Sequence, residues 1–405
     1  MPGSEGFTSL PFSMLILFVS AKLLAEVAEQ LHQPGLVGEI LAGVLIGPSV
    51  FGWLKPTDFL GAMGDLGAMF LLFRVGLEVK SSELMRVGGT ALLVACSGVV
   101  VPFVMGAGLL LLYGAQTHEA IFVGASLVAT SVGITAHVLS AKGLLEATSS
   151  KVILAAAVID DVLGLLVLAV VSSLAHGKID VLQLSVTAIV AGGFTVMVAK
   201  WGGHAVRRTM PHVERTLKAT EGRFVLALSV LFGLACLAMS IGVAAIVGSF
   251  LAGLAFSDSA GTRERDLAEG VSQLLVPFFL AGIGLHVDLS AFSNWSTAGL
   301  ALSLLAVALI SKFVGCGLGA LPLGRTDALR VGVGMIPRGE VGMIVAQLGL
   351  ALSFLSRRLY GLVVFMSVAT TVLAPPLIKM AYGRQLLPAT PNLAEDETLR
   401  VGDLI

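Results

Sequence analysis

Charge is scarce in this 405-residue sequence: Asp, Glu, Lys and Arg together make up 13% of it, about half the share of a soluble domain. With 56% hydrophobic residues, that shortage excludes an ordinary water-soluble fold and leaves an all-α polytopic membrane protein embedded in a lipid bilayer. Cysteine is also sparse. Cys96, Cys236 and Cys316 all fall in apolar segments, which excludes a disulfide framework or a metal site built on cysteine. No nucleophile–base set stands out and the seven histidines are scattered, so an enzyme is not expected. No G-x-G-x-x-G is present, so neither a nucleotide-binding domain nor a bound cofactor is expected. Nothing in the charge pattern points to nucleic acid. Residues 1–11 hold no basic stretch, and a cleaved signal peptide is not expected.

What the chain does have is long apolar runs. They predict about thirteen spans, at 10–31, 35–53, 59–79, 88–113, 119–140, 152–175, 181–206, 223–241, 243–257, 268–287, 296–321, 329–353 and 359–380. The span 152–175 carries Asp160 and Asp161 side by side. A carboxylate at the bilayer centre costs roughly 2.5–3.5 kcal/mol even on insertion scales, and two adjacent ones also repel. A membrane helix keeps such a pair only where a cation, a proton or a buried base offsets the cost, so the pair is a functional site.

Grouping the basic residues by loop puts 17 on one side, from Lys80 to Arg400, and 4 on the other: Lys55, Lys178, Arg357 and Arg358. The rich side is cytoplasmic by the positive-inside rule, so the N-terminus is expected outside and the C-terminus inside. The chain also echoes itself. Val37-Gly38 with Ala42-Gly43 matches Val247-Gly248 with Ala252-Gly253, and Gly76-Leu77 matches Gly284-Leu285. The same register aligns Asp160 and Asp161 with Thr370 and Thr371. Six spans, one linking span and six more predict inverted six-helix repeats, the plan of many secondary transporters.

At corresponding places in the two halves, Thr130-Ser131-Val132-Gly133 and Pro337-Arg338-Gly339-Glu340 put Gly, Pro and polar residues in mid-membrane. They predict two interrupted crossing helices, whose freed carbonyls and half-helix dipoles are fit to hold a cation. Arg338 and Glu340 are candidates to offset the dipole ends. Lys312 lies far from either end of its span, where it cannot snorkel, and the acid pair is the nearest candidate partner.

These residues resemble a known family. Gln33-Pro34-Gly35-Leu36-Val37-Gly38-Glu39, Phe70-Leu71-Leu72-Phe73, Ala129-Thr130-Ser131-Val132-Gly133, Ile159-Asp160-Asp161-Val162, Lys312 and Pro337-Arg338-Gly339-Glu340-Val341-Gly342 are similar to the cation/proton antiporter-2 branch, and most similar to NapA-type sodium/proton antiporters. The resemblance implies an NhaA-like antiporter fold and a homodimer in a bacterial inner membrane, serving pH homeostasis. It implies dimerisation helices in 1–87 and 223–290, core helices in 88–178 and 291–383, a linker in 179–222 and a cytoplasmic tail in 384–405. It also implies that Asp161 carries the ion and the proton, that Asp160 pairs with Lys312, and that Asp160, Asp161 and Thr130 are the ligands of transported sodium. An Asp-Asp pair with this lysine resembles the electrogenic members, which exchange two protons for one sodium or lithium ion. A potassium/proton antiporter of the same branch is the alternative, and a sodium-coupled organic-anion symporter on a related fold is a further one. Arg74 departs from the family pattern; near the cytoplasmic end of its span it can snorkel or form an i,i+4 pair with Glu78, the alternative being that it shapes the cytoplasmic entry funnel or its pH response.

Overall fold

The computed structural model describes residues 10–31, 33–175, 181–216, 222–287 and 295–383. Among them every regular element is helical. In chain order these are α1 (Leu10–Gln30), α2 (Gly35–Ile46), α3 (Asp58–Glu78), α4 (Ser81–Arg86), α5 (Gly88–Leu112), α6 (Thr117–Ser126), α7 (Val132–Ala141), α8 (Thr148–Ala175), α9 (Val181–Thr216), α10 (Gly222–Ser240), α11 (Ala245–Phe256), α12 (Thr262–Leu285), α13 (Trp295–Gly319), α14 (Arg325–Gly334), α15 (Glu340–Ala351) and α16 (Arg357–Tyr382). Seven of the described helices are long and apolar enough to cross a bilayer. The expected tail, 384–405, lies outside the described residues.

Where helices differ from the expected spans, local chemistry explains it. The second span was expected to run to 53, but α2 stops at Ile46, where extended Gly47 caps it. Pro48 follows, and proline drives the residue before it out of the helical region. The runs expected at 119–140 and 329–353 each divide into two helices, α6 with α7 and α14 with α15. The short α4 was not expected, because six residues give no periodicity to read.

The helices fall into two packing groups. In one, α3 lies against α11 and α12, α2 against α1 and α12, and α10 against α11. In the other, α5 packs on α6, α8 and α13, while α14 and α15 pack on α16. The long α9 touches both α8 and α11. Two crossings in the first group are reciprocal glycine contacts. A Cβ on Gly43 would overlap the Ala281 carbonyl, and one on Gly284 would overlap that of Ile40. The α3–α11 crossing repeats the pattern, with Gly76 on the Phe250 carbonyl and Gly253 on that of Phe73. Only glycine permits such an approach, the small-residue packing of membrane helices. Gly253→Val is expected to destabilise the protein by about 3 kcal/mol or more, since overpacking of this kind forces the backbone apart. Gly192→Ala, where a Cβ meets nothing, should be neutral or mildly stabilising. Thermal unfolding in detergent, followed by loss of the monodisperse elution peak, distinguishes the two.

Candidate functional site

The two breaks meet in the second packing group. The chain between α6 and α7 and the chain between α14 and α15 cross, and the Ser131 N–H donates to the Pro337 carbonyl at 2.8 Å. The Thr135 hydroxyl donates to the Gly334 carbonyl at 2.6 Å, satisfying an acceptor at the end of α14. Breaking the first helix leaves the Val128 carbonyl without the helical N–H it would otherwise receive. It takes two cations instead: Lys312 Nζ at 2.6 Å and Arg338 Nη1 at 3.3 Å. Both side chains thus sit just past the C-terminal, negative end of α6, where a cation is favoured. The second Arg338 nitrogen donates to the Ala308 carbonyl at 3.0 Å.

Asp160 and Lys312 are fully buried together. Lys312 Nζ lies 3.1 Å from Asp160 Oδ1, and Asp160 Oδ2 accepts the Thr130 N–H at 3.0 Å. The Gly98 carbonyl is the ammonium's further acceptor, at 2.9 Å. An ammonium has three hydrogens to give, and Asp160, Gly98 and Val128 take them. That arrangement keeps the cost of burying two charges, several kcal/mol per ion, from standing uncompensated.

Asp161 is placed differently from its neighbour. It is half-buried and lines a cavity of about 540 Å³ together with Thr130, Ser131, Arg338 and Gly339. The cavity runs from the α3 start at Asp58 and the α12 end at His286 to Asp161 in the middle of α8. Thr130 Oγ1 is buried there without a hydrogen-bond partner among the described residues. Asp161 also borders a second, small space of about 10 Å³ among Leu72, Val132, Leu154, Val158, Val247 and Phe250, barely the room of one water. The carboxylate therefore borders a large cavity with polar lining and a small one lined by apolar side chains.

In the second half, threonines hold the broken segment. The Arg338 N–H donates to Thr370 Oγ1 at 3.2 Å, and Thr371 Oγ1 donates to the Arg338 carbonyl at 2.9 Å. Thr370 thus does for Arg338 what Asp160 does for Thr130, with no charge.

The sodium/hydrogen exchanger transmembrane family model matches residues 14–381. The chain belongs to the sodium/hydrogen exchanger family. Its members are transporters, and this one carries the family's helical architecture over almost its whole length. The chain is 33% identical to the high-affinity Na+/H+ antiporter NhaS3 of Synechocystis, over 91% of this chain and 89% of that one. It is 30% identical to the Na+/H+-K+ antiporter GerN of Bacillus cereus, over 92% and 96%. Among solved structures it is similar to the sodium proton antiporter MjNhaP1 of Methanocaldococcus jannaschii, with a TM-score of 0.66 at 18% identity, covering 93% of this chain and 98% of that one.

Within this family frame, Asp160, Asp161, Lys312, Thr130, Ser131, Pro337 and Arg338 all come together at the crossing. The Glu340 side chain lies outside the described part of the structure. Residue patterns did not point to the Gly98 and Val128 carbonyls, because they belong to the main chain. Arg74 pairs with Glu78 at 3.5 Å, as its spacing predicts, and also with Glu269 of α12. Ser140 of α7 donates to Glu78 at 3.3 Å, so this polar cluster ties α3 to both α12 and α7.

Proposed function

We propose that the protein is an electrogenic antiporter that moves sodium or lithium against protons by alternating access. One observation carries the reading: Asp161 stands at the inner end of the cavity while Asp160, beside it in sequence, is sealed against Lys312. Sodium entering the cavity meets the Asp161 carboxylate and displaces its proton. Thr130 Oγ1 and Ser131 are at hand as neutral oxygen ligands, of the kind hard cations take. Asp160 becomes a ligand once it turns from Lys312, and the released lysine gives up the second proton. Two protons against one sodium transfers one net charge, worth about 2.3 kcal/mol per 100 mV, which favours sodium export from a negative cytoplasm.

The frame for this motion is a homodimer in the bacterial inner membrane. The helices of 1–87 and 223–290 form its dimerisation part, 179–222 a linker, and those of 88–178 and 291–383 the moving core. Thirteen spans in inverted repeats accord with the matched bonds at Thr130 and Arg338. With the N-terminus outside and the C-terminus inside, the cavity mouth beside Asp58 and Tyr360 opens outward, since Lys55, Arg357 and Arg358 mark the lysine- and arginine-poor side.

A second reading, potassium as the exchanged cation, is favoured by the GerN relative, whose name includes both ions. Purified protein in liposomes loaded with a pH-sensitive dye decides between them. Sodium and lithium should each dissipate an imposed pH gradient. Proton movement with potassium alone would exclude the sodium reading, and none with any of the three would exclude antiport.

A further inference from the structure

α3 brings two further carboxylates to the cavity, Asp58 and Asp65, and the second has no partner among the described residues. Asp58, Asp65 and Leu72 recur every seven residues along α3 and all line the cavity, so they mark one helical face. Asp58 stands at the mouth, in the first turn of α3, where the helix dipole favours a negative charge. Leu72 borders the small apolar space that Asp161 also borders. Asp65 lies midway, about 10 Å along the helix from each at 1.5 Å rise per residue. It is exposed to the cavity and too deep for the dipole, whose effect falls off within the first turn. Among the described residues it makes no hydrogen bond and no ion pair. Small residues flank it: Gly61, Ala62, Gly64 and Ala68 also line the cavity, and a Cβ on Gly61 would meet nothing. The carboxylate is thus left open to the cavity, and an unpaired charge in a membrane span marks an ion pathway.

We propose that Asp65 is a positioning residue for the transported cation: its charge gathers hydrated sodium in the outer part of the cavity and so raises the ion's occupancy at Asp161, without itself ligating the dehydrated ion. This rests on the reading above, in which sodium reaches Asp161 through this cavity. The other charged or titratable groups lining the cavity are Asp58, Asp161, His286 and Arg338. Arg338 is 1% exposed and gives its guanidinium to the Val128 and Ala308 carbonyls, while His286 Nδ1 lies 2.9 Å from the Gly282 carbonyl. Carboxylates therefore dominate the field in the cavity, and apolar lining from Ile246, Phe279 and Ile283 concentrates it. A carboxylate about 10 Å from the level of Asp161 acts there through its charge, worth roughly threefold in cation occupancy at low ionic strength. The Debye length is also about 10 Å at 0.1 M salt, so an inert electrolyte erases the effect.

The test measures sodium-driven proton flux in liposomes at one alkaline pH, for full-length wild type, Asp65→Asn, Asp65→Glu and Asp161→Asn. Each is run in a buffer of low ionic strength and again with choline chloride at about 0.5 M. At low ionic strength Asp65→Asn should raise the KM for sodium roughly threefold and leave kcat unchanged. Choline screens the charge, raises the wild-type KM and should bring the two proteins within about 1.5-fold of each other. Asp65→Glu keeps the charge and should follow wild type in both buffers. A KM rise in Asp65→Asn that persists under choline, or that Asp65→Glu shares, means that the side chain acts through its shape, and overturns the proposal. A KM equal to wild type at low ionic strength overturns it too. So does failure of Asp65→Asn to fold, because a carboxylate with no partner has no bond to lose. A wild type without sodium-driven flux, or Asp161→Asn that retains it, removes the reading above and this inference with it; wild-type flux with an unshifted Asp65→Asn removes this inference alone.

Discussion

Asp161→Asn is expected to abolish sodium-dependent proton exchange. The substitution keeps the shape of the side chain and its place on the cavity, but removes both the negative charge and the proton that the proposed cycle moves. An amide still offers a carbonyl oxygen, so weak cation binding survives. A charge-assisted contact is worth about 3 kcal/mol, so the affinity loss is roughly a hundredfold. Coupling fails altogether, because no carboxylate remains to exchange a proton for the ion. Folding should be intact, since Asp161 lies at the cavity surface and the buried ion pair belongs to Asp160. The measurement is dye-reported proton flux in liposomes, with thermal unfolding as the control. Sodium-driven flux from a folded Asp161→Asn protein would remove this residue from the mechanism.

Lys312→Ala has two consequences that can be separated. The first is energetic. Asp160 is 1% exposed, and without the lysine it keeps the Thr130 N–H as a donor. Stripping one partner from a buried ion pair typically destabilises by about 3–5 kcal/mol. Adding Asp160→Asn in the same chain should recover most of that loss, because the amide oxygen still accepts the Thr130 N–H and no charge is left unpaired. The second consequence is electrical. On the two-proton cycle proposed above, the variant lacks the carrier of one proton, and the net charge moved per cycle is expected to fall from one to zero. In liposomes an imposed membrane potential should drive wild-type exchange and leave the variant unmoved. Equal voltage dependence in both would mean that the second proton travels on another group.

Much of this site was legible in the sequence, for a definite reason. Asp160, Asp161, Lys312 and Arg338 are charges in apolar segments, and membrane energetics makes each of them conspicuous. The break at Thr130 and Ser131 and the one at Pro337 were legible because proline, glycine and polar residues interrupt otherwise continuous runs. The end of α2 was not, since its hydrophobicity continues past Ile46 and only the Gly47-Pro48 step stops it. Least legible were the oxygen atoms that hold the lysine. Every residue has a carbonyl, and what distinguishes those of Gly98 and Val128 is the absence of a donor elsewhere in the chain. Pro102 of α5, which has no N–H to give the carbonyl four residues before it, was a readable signal of that absence for Gly98, but only a partner from a distant helix gives it meaning.

The reciprocal glycine crossings of α2 with α12 and α3 with α11 bear on how stiffness is distributed. Where backbones touch with no side chains between them, there is no rotamer to turn and no cushion to compress, so those helices act mechanically as a single plate. The contacts between α3 and α7 run instead through side chains such as Leu72 against the α7 backbone at Gly133, which can slide and repack. The α3–α7 seam is thereby the more compliant contact, and it lies next to the Asp161 carboxylate. A rigid plate beside a slippery seam turns a small local rearrangement into displacement of a whole block of helices, where a uniformly soft bundle would dissipate it.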